Sequence, residues 1–66
     1  MAARILKILE VMRRTSVARS TIYLRISEGT FPKPISLGHR SVGWIESEID
    51  EWITDKIKLS RQTQEG

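Results

Sequence analysis

The chain has 66 residues, enough for one small domain and too few for most enzyme architectures. It contains no cysteine and one histidine, His39, so disulfides, thiol catalysis and a multi-histidine metal site are excluded. Hydrophobic residues make up 39% and charged residues 29%, the balance of a folded soluble domain. No apolar run reaches the ~20 residues that a bilayer requires. We therefore expect a cytoplasmic binding domain with no membrane segment, signal peptide or cofactor.

The net charge of +3 is unevenly distributed along the chain. Residues 1–45 hold eight Lys and Arg and two acids, a net charge of +6, whereas residues 46–66 hold three bases and six acids, a net charge of −3. A basic surface attracts phosphate backbones and makes binding dependent on salt. The alternative is that both sets of charges are ordinary solvated surface, so charge alone does not decide the function.

The first 30 residues predict an extended segment followed by two helices. Residues 4–7 suit a short extended entry, and the apolar spacing over residues 9–14 favours a first helix. A tight turn over residues 15–18 leads to a second helix from Arg19 to Glu28, which we expect to end at Gly29.

The second helix has an unusual outward face. Ile22 and Ile26 share the inward side, and Arg19 and Arg25 lie along the borders. A surface helix without a binding role usually carries Lys and Glu outward, because they favour helix more than Ser and Thr do. Here the outward residues are mostly small or hydroxylated, which suits close approach to another molecule: Ser20, Thr21, Leu24, Ser27 and Glu28.

The rest of the chain predicts a hairpin and a third helix. Pro32 and Pro34 stop any helix, and strands at 35–37 and 42–44 flank a tip at 38–41. Ser47 is the expected start of the last helix, whose apolar residues recur every three or four positions. We predict a domain over residues 1–59 and a flexible tail over 60–66. The fold class is mainly α with a small β-hairpin: a winged helix-turn-helix with three helices and a two-stranded wing.

Four segments carry a resemblance to a known family: RILKILEVMRRT, RSTIY, EGTFPKPISLG and RSVGWIESEIDEWI. Across residues 4–57 the chain resembles the AlpA family of phage and prophage regulators, relatives of MerR-type and excisionase DNA-binding domains. The resemblance implies binding of double-stranded DNA by the second helix and the wing, in a bacterial or phage transcriptional regulator of a kind that often acts on integrase or excision genes. Copies of the chain itself, integrase and RNA polymerase are the further partners to consider, and the expected location is the nucleoid.

Two positions depart from the family pattern. Ala18 stands where the family usually has a serine that caps the recognition helix, and Ser16 is an alternative source of that cap. After Tyr23 the family often has Arg and then an apolar residue, whereas this chain has Leu24 and then Arg25. The reversed order exposes a leucine, which could contact a thymine methyl or serve a protein interface.

The predicted DNA contacts have structural alternatives. Ser20 and Thr21 could instead satisfy amides of the first helical turn, Tyr23 could pack against the wing, and Arg25 could stretch over the core. The competing functions are an excisionase-like factor that bends DNA and a protein-interaction adaptor that docks through Leu24 and the acidic helix. No enzyme activity is expected. The full predicted DNA-binding set is Arg19, Ser20, Thr21, Tyr23, Leu24, Arg25, Lys33, His39 and Arg40.

Overall fold

The computed structural model describes residues 3–65, with side chains up to residue 62. The elements in chain order are β1 (Ile5–Leu6), α1 (Ile8–Thr15), α2 (Arg19–Glu28), β2 (Ile35–Gly38), β3 (Ser41–Ile45) and α3 (Glu46–Glu65). This arrangement confirms the mainly helical winged fold.

The wing has three strands, where the sequence predicts two. The sheet order is β1-β3-β2, and both pairings are antiparallel. Ile5 pairs with Ile45 and Leu6 with Trp44, so the predicted extended entry is an edge strand of the wing. The extra strand forms because the amino-terminal segment pairs with the edge of β3 that β2 leaves free. The start of the chain is therefore hydrogen-bonded to the hairpin.

The turn between α1 and α2 differs from the prediction in its capping. Ser16 adopts a left-handed conformation, with φ of 58°, and its amide donates to the Met12 carbonyl at 2.8 Å. Ser16 therefore ends α1, and the idea that it caps α2 is wrong. Ala18 is the N-cap of α2 and makes no side-chain hydrogen bond. At the other end, Gly29 has φ of 79° and closes α2 where the sequence predicts.

The core takes one or more residues from every element except β2. Trp44 is fully buried, and its indole nitrogen donates to the Pro32 carbonyl at 3.0 Å. Trp52 is half-buried and donates in the same way to the Thr30 carbonyl at 3.0 Å. The two tryptophans thus hold the short segment that leads from α2 into the wing at two points, the carbonyls of Thr30 and Pro32. The buried core residues are Leu6, Val11, Ile22, Phe31, Trp44 and Ile49.

α3 is longer than predicted at both ends. It begins at Glu46, whose amide donates to the Arg4 carbonyl at 2.8 Å, so Ser47 lies inside the first turn. It continues to Glu65 through a segment predicted as a flexible tail, and the domain boundary at residue 59 stays a prediction. Ile49 is buried, but Ile57 on the same stripe is 44% exposed. The carboxyl-terminal half of α3 therefore projects beyond the core.

Candidate nucleic-acid interface

The outward face of α2 is exposed at every predicted position except Thr21. Leu24 is 57% exposed, and Arg19 and Ser20 also lie on the surface, whereas Thr21 is half-buried at one border. The hydroxyls of Ser20 and Thr21 make no hydrogen bond to any residue that the structure describes. They do not satisfy the amides of the first turn, so this structural alternative is not supported. Both hydroxyls are available to a ligand.

Tyr23 lies at the border of α2 that faces the wing. Its ring meets the ring of Trp44 edge to face, with centroids 6.3 Å apart and planes at 63°. The side chain nevertheless remains 44% exposed. Tyr23 therefore packs against the wing, which was one of its two predicted roles, and still presents surface at the junction between α2 and the wing.

Arg25 lies at the other border and turns toward α3. Its guanidinium carbon is 5.9 Å from the centre of the Trp52 ring, and the Lys56 ammonium is 5.2 Å from the same ring. This arrangement is a cation–π contact. Arg25 is thus separated from the outward face and stretches over the protein, the structural alternative considered for it.

The tip of the wing presents basic residues to solvent. His39 and Arg40 are exposed in the turn between β2 and β3, and Arg40 has φ of 56° in the left-handed region. Lys33 is exposed on the segment between the two prolines. None of the three has an ion-pair partner among the side chains that the structure describes.

One basic residue of this surface, Lys7, was not among the DNA contacts predicted from the sequence. The Lys7 ammonium donates to the Ser41 hydroxyl at 2.7 Å, which places it beside the wing although 34 residues separate the two positions. Lys7 is also the N-cap residue of α1 and is exposed. Its only signal in the sequence is its charge, because the contact depends on β1 joining the sheet.

Arg14 belongs to a different cluster that joins α1 to α3. Its guanidinium lies 3.0 Å from a Glu10 oxygen and 2.9 Å from a Glu46 oxygen, and 3.7 Å from Asp50. The hydrogen bonds with Glu10 and then Glu46 raise the pKa of Arg14 above its usual value. These carboxylates neutralise Arg14, so it has a structural role.

Two further kinds of feature are absent from the described part of the chain. Between residues 3 and 65, no three His, Asp or Glu side chains are grouped so as to hold a metal ion. No helix within those residues is long and apolar enough to cross a membrane.

Three helices, a tight turn between the first two and a β-wing define the class: the protein has a winged helix-turn-helix fold. Residues 4–57 match the family model described as the prophage CP4-57 regulatory protein, AlpA. The chain belongs to this AlpA family.

Two relatives support the assignment. The chain is 47% identical over 64 residues to the DNA-binding transcriptional activator AlpA of Escherichia coli, an alignment that covers 88% of this chain and 91% of that protein. It is 43% identical over 54 residues to the uncharacterized protein ORF88 of Enterobacteria phage P4, covering 82% of this chain and 61% of that protein.

Proposed function

We propose that this chain is a sequence-specific double-stranded DNA-binding regulator of transcription of the phage type. The observation that carries the proposal is the start of α2, where the unbonded hydroxyls of Ser20 and Thr21 stand beside exposed Arg19. The name of the Escherichia coli relative, a DNA-binding transcriptional activator, agrees with this reading. The chain is proposed to act in the cytoplasm, on the nucleoid, without enzymatic activity.

In the proposed complex, α2 enters the major groove. A helix fits that groove and reads base edges through its first residues, and small side chains let its backbone approach closely. Ser20 and Thr21 would bond to bases or phosphates, and Arg19 would contact a phosphate or a guanine. Leu24, one turn further, would lie against a thymine methyl.

The wing would contact the backbone or the adjacent groove. Arg40 and His39 stand at its tip, and Lys33 lies on the stiff proline-flanked segment. Lys7, held beside Ser41, adds a positive charge to the same edge. Tyr23 would meet the DNA where α2 and the wing converge. Because Arg25 lies over Trp52, we assign it a weaker contact than Arg19.

The salt dependence of binding tests whether the basic surface contacts phosphates. If one copy neutralises ~3–5 phosphates, the slope of log K against log salt is roughly −3 to −4.5. Binding is measured by fluorescence anisotropy on a short duplex between low and physiological salt. A flat response would refute the proposal.

A pair of substitutions tests the division between base reading and backbone contact. Thr21→Ala is expected to change which duplexes are preferred, whereas Lys33→Ala weakens binding to all duplexes alike. Thr54→Ala and Lys58→Ala, at exposed positions of α3, are the matched controls and leave binding unchanged. Equal losses on every duplex from both test variants would mean that α2 does not read bases.

Selection of bound duplexes from a random pool identifies the target. One recognition helix reads only a few base pairs, so useful specificity requires copies or a partner such as integrase or RNA polymerase. Evenly spaced half-sites would support several copies on one DNA. Bent, phased sites would indicate the excisionase-like role instead.

A further inference from the structure

The projecting half of α3 forms one side of a groove, whose other side is built by the end of α1 and by α2. Its floor is apolar, and Ile57 is 44% exposed there although it continues the core stripe of α3. Three basic side chains surround this floor. We call this surface the basic groove; the residues used below are Arg25, Trp52, Ile53, Lys56, Ile57 and Arg61.

The bases of the groove are not neutralised by the chain's own acids. Arg14, at the edge, is already paired with Glu10 and Glu46. In contrast, no side-chain carboxylate between residues 3 and 62 pairs with Arg25, Lys56 or Arg61. Two of them instead rest on the ring of Trp52. An occupant of this groove should therefore be acidic and partly apolar.

The other side of the same helix has this chemistry. Glu48, Glu51 and Asp55 recur at helical spacing and are all exposed, and Leu59 follows one turn later with 57% of its surface exposed. None of the three acids has an ion-pair partner among the described side chains. We call these four residues the acidic stripe.

The isoleucines of the groove floor and the carboxylates of the stripe lie on opposite sides of α3. At ~100° per residue, Asp55 lies roughly 200° around the helix axis from Ile53 on the groove floor. One copy therefore cannot fill its own groove. A closed two-fold pair would need both surfaces to face the same partner, whereas two different surfaces on opposite sides make a head-to-tail contact, which generates a ring or an open row of copies.

We propose that the acidic stripe of one copy docks into the basic groove of the next, so that copies line up head to tail. The carboxylates would meet Lys56 and Arg61 at the rim, and Leu59 would enter the apolar floor beside Ile57. Because α3 carries both surfaces, docking leaves the outward face of α2 free. The part of this inference that concerns DNA rests on the proposed function. A row of copies would supply the specificity that one α2 lacks.

Charge reversals on each surface test the docking. The stripe variant carries Glu51→Lys and Asp55→Lys, the groove variant carries Lys56→Glu and Arg61→Glu, and a third protein carries all four changes. Self-association of the protein alone is measured by sedimentation at low salt, and cooperativity is measured on duplexes with one or two adjacent sites. Juxtaposed like charges should lower association by at least about tenfold in each single-surface variant.

Two results distinguish docking from a general effect of charge. The four-change protein restores complementarity, so association and cooperativity should return. In a mixture of the two variants, the native stripe of the groove variant meets the native groove of the stripe variant, and the reversed stripe meets the reversed groove. The mixture should therefore form rows in which the two variants alternate, although neither variant associates alone. Thr54→Lys, which adds a positive charge to α3 outside the stripe, is the control and should leave association unchanged.

The outcomes separate this inference from the proposed function. If the unmodified protein does not bind a duplex with a single site, the proposed DNA binding is refuted. Sedimentation of the protein alone still tests the docking in that case. Single-site binding without cooperativity, together with a monomer at low salt, would overturn the docking alone. Association that survives either reversal, or that the four-change protein fails to recover, would also overturn it. Circular dichroism of each variant checks that α3 is intact.

Discussion

The close approach of β1 to the middle of β3 leads to a stability prediction for Gly43→Ala. Gly43 is buried, and a Cβ there would collide with Cγ2 of Ile5. It would also lie 3.1 Å from Cδ1 of Leu37 and 3.2 Å from the carbonyl oxygen of Leu6. Ile5 is branched at Cβ, so its Cγ2 moves only when χ1 changes, and the Leu6 carbonyl is backbone. Neither of these two groups can move away from the added methyl without a cost in free energy.

The expected loss follows from two opposing effects. Alanine restricts the unfolded chain more than glycine does, which stabilises the protein by about 0.4–1 kcal/mol. Overpacking costs about 1–3 kcal/mol, and the cost should lie in the upper half of that range because neither Cγ2 of Ile5 nor the Leu6 carbonyl moves easily. The net loss is then about 1–2 kcal/mol. A domain of this length has a free energy of unfolding of roughly 3–10 kcal/mol. The melting temperature should fall by about 5–15 °C.

A double-mutant cycle measures the contact itself. Ile5→Leu moves the branch point away from Cβ, so in that background Gly43→Ala should cost about 1 kcal/mol less than in the unmodified protein. Urea unfolding followed by circular dichroism gives each free energy, and Ile5→Leu alone is the reference. If Gly43→Ala is neutral or stabilising, or if its cost is the same in both backgrounds, the steric argument is wrong.

Two further predictions concern the exposed side chains of α2. Tyr23→Phe keeps the ring against Trp44, so stability should stay within about 0.5 kcal/mol. Loss of the hydroxyl should weaken binding to every duplex by about fivefold, the value of one hydrogen bond, and unchanged anisotropy titrations would limit Tyr23 to packing. Leu24→Ala should leave folding intact and reduce the preference for thymine at one position. An unaltered selected sequence would show that Leu24 meets no base.

The bounds of α2 could be predicted because their causes are local. Gly29 ends the helix through its own left-handed conformation, and the prolines that follow prevent any continuation. The hairpin was equally accessible, since the alternation of apolar residues and the glycine at its tip lie within a dozen residues. Exposure of Leu24 also followed from helical periodicity alone.

Features that depend on distant contacts could not be predicted in the same way. β1 was predicted only as an extended segment, because its pairing with β3 joins residues about 40 positions apart, such as Ile5 and Ile45. The Lys7–Ser41 hydrogen bond follows from that pairing. The sequence did not decide whether the Arg25 side chain turns outward or stretches over the core, because periodicity places it at a border of α2. The position of Trp52 on α3 decides for the core. The helical state of residues 60–65 was missed because their polar composition suggested a tail, although no glycine or proline stops α3 before residue 65.

The contacts that hold α2 in the fold leave its outward face free to bind another molecule. Ile22 is its one fully buried residue and Ala18 provides no side-chain cap, so the helix has little anchorage of its own. Its two borders are instead held by tryptophans from other elements: Tyr23 meets Trp44 of β3, and Arg25 lies over Trp52 of α3. Because neither contact uses the outward face, substitutions there should cost little stability. The outward face of α2 can therefore be changed without altering the fold that presents it.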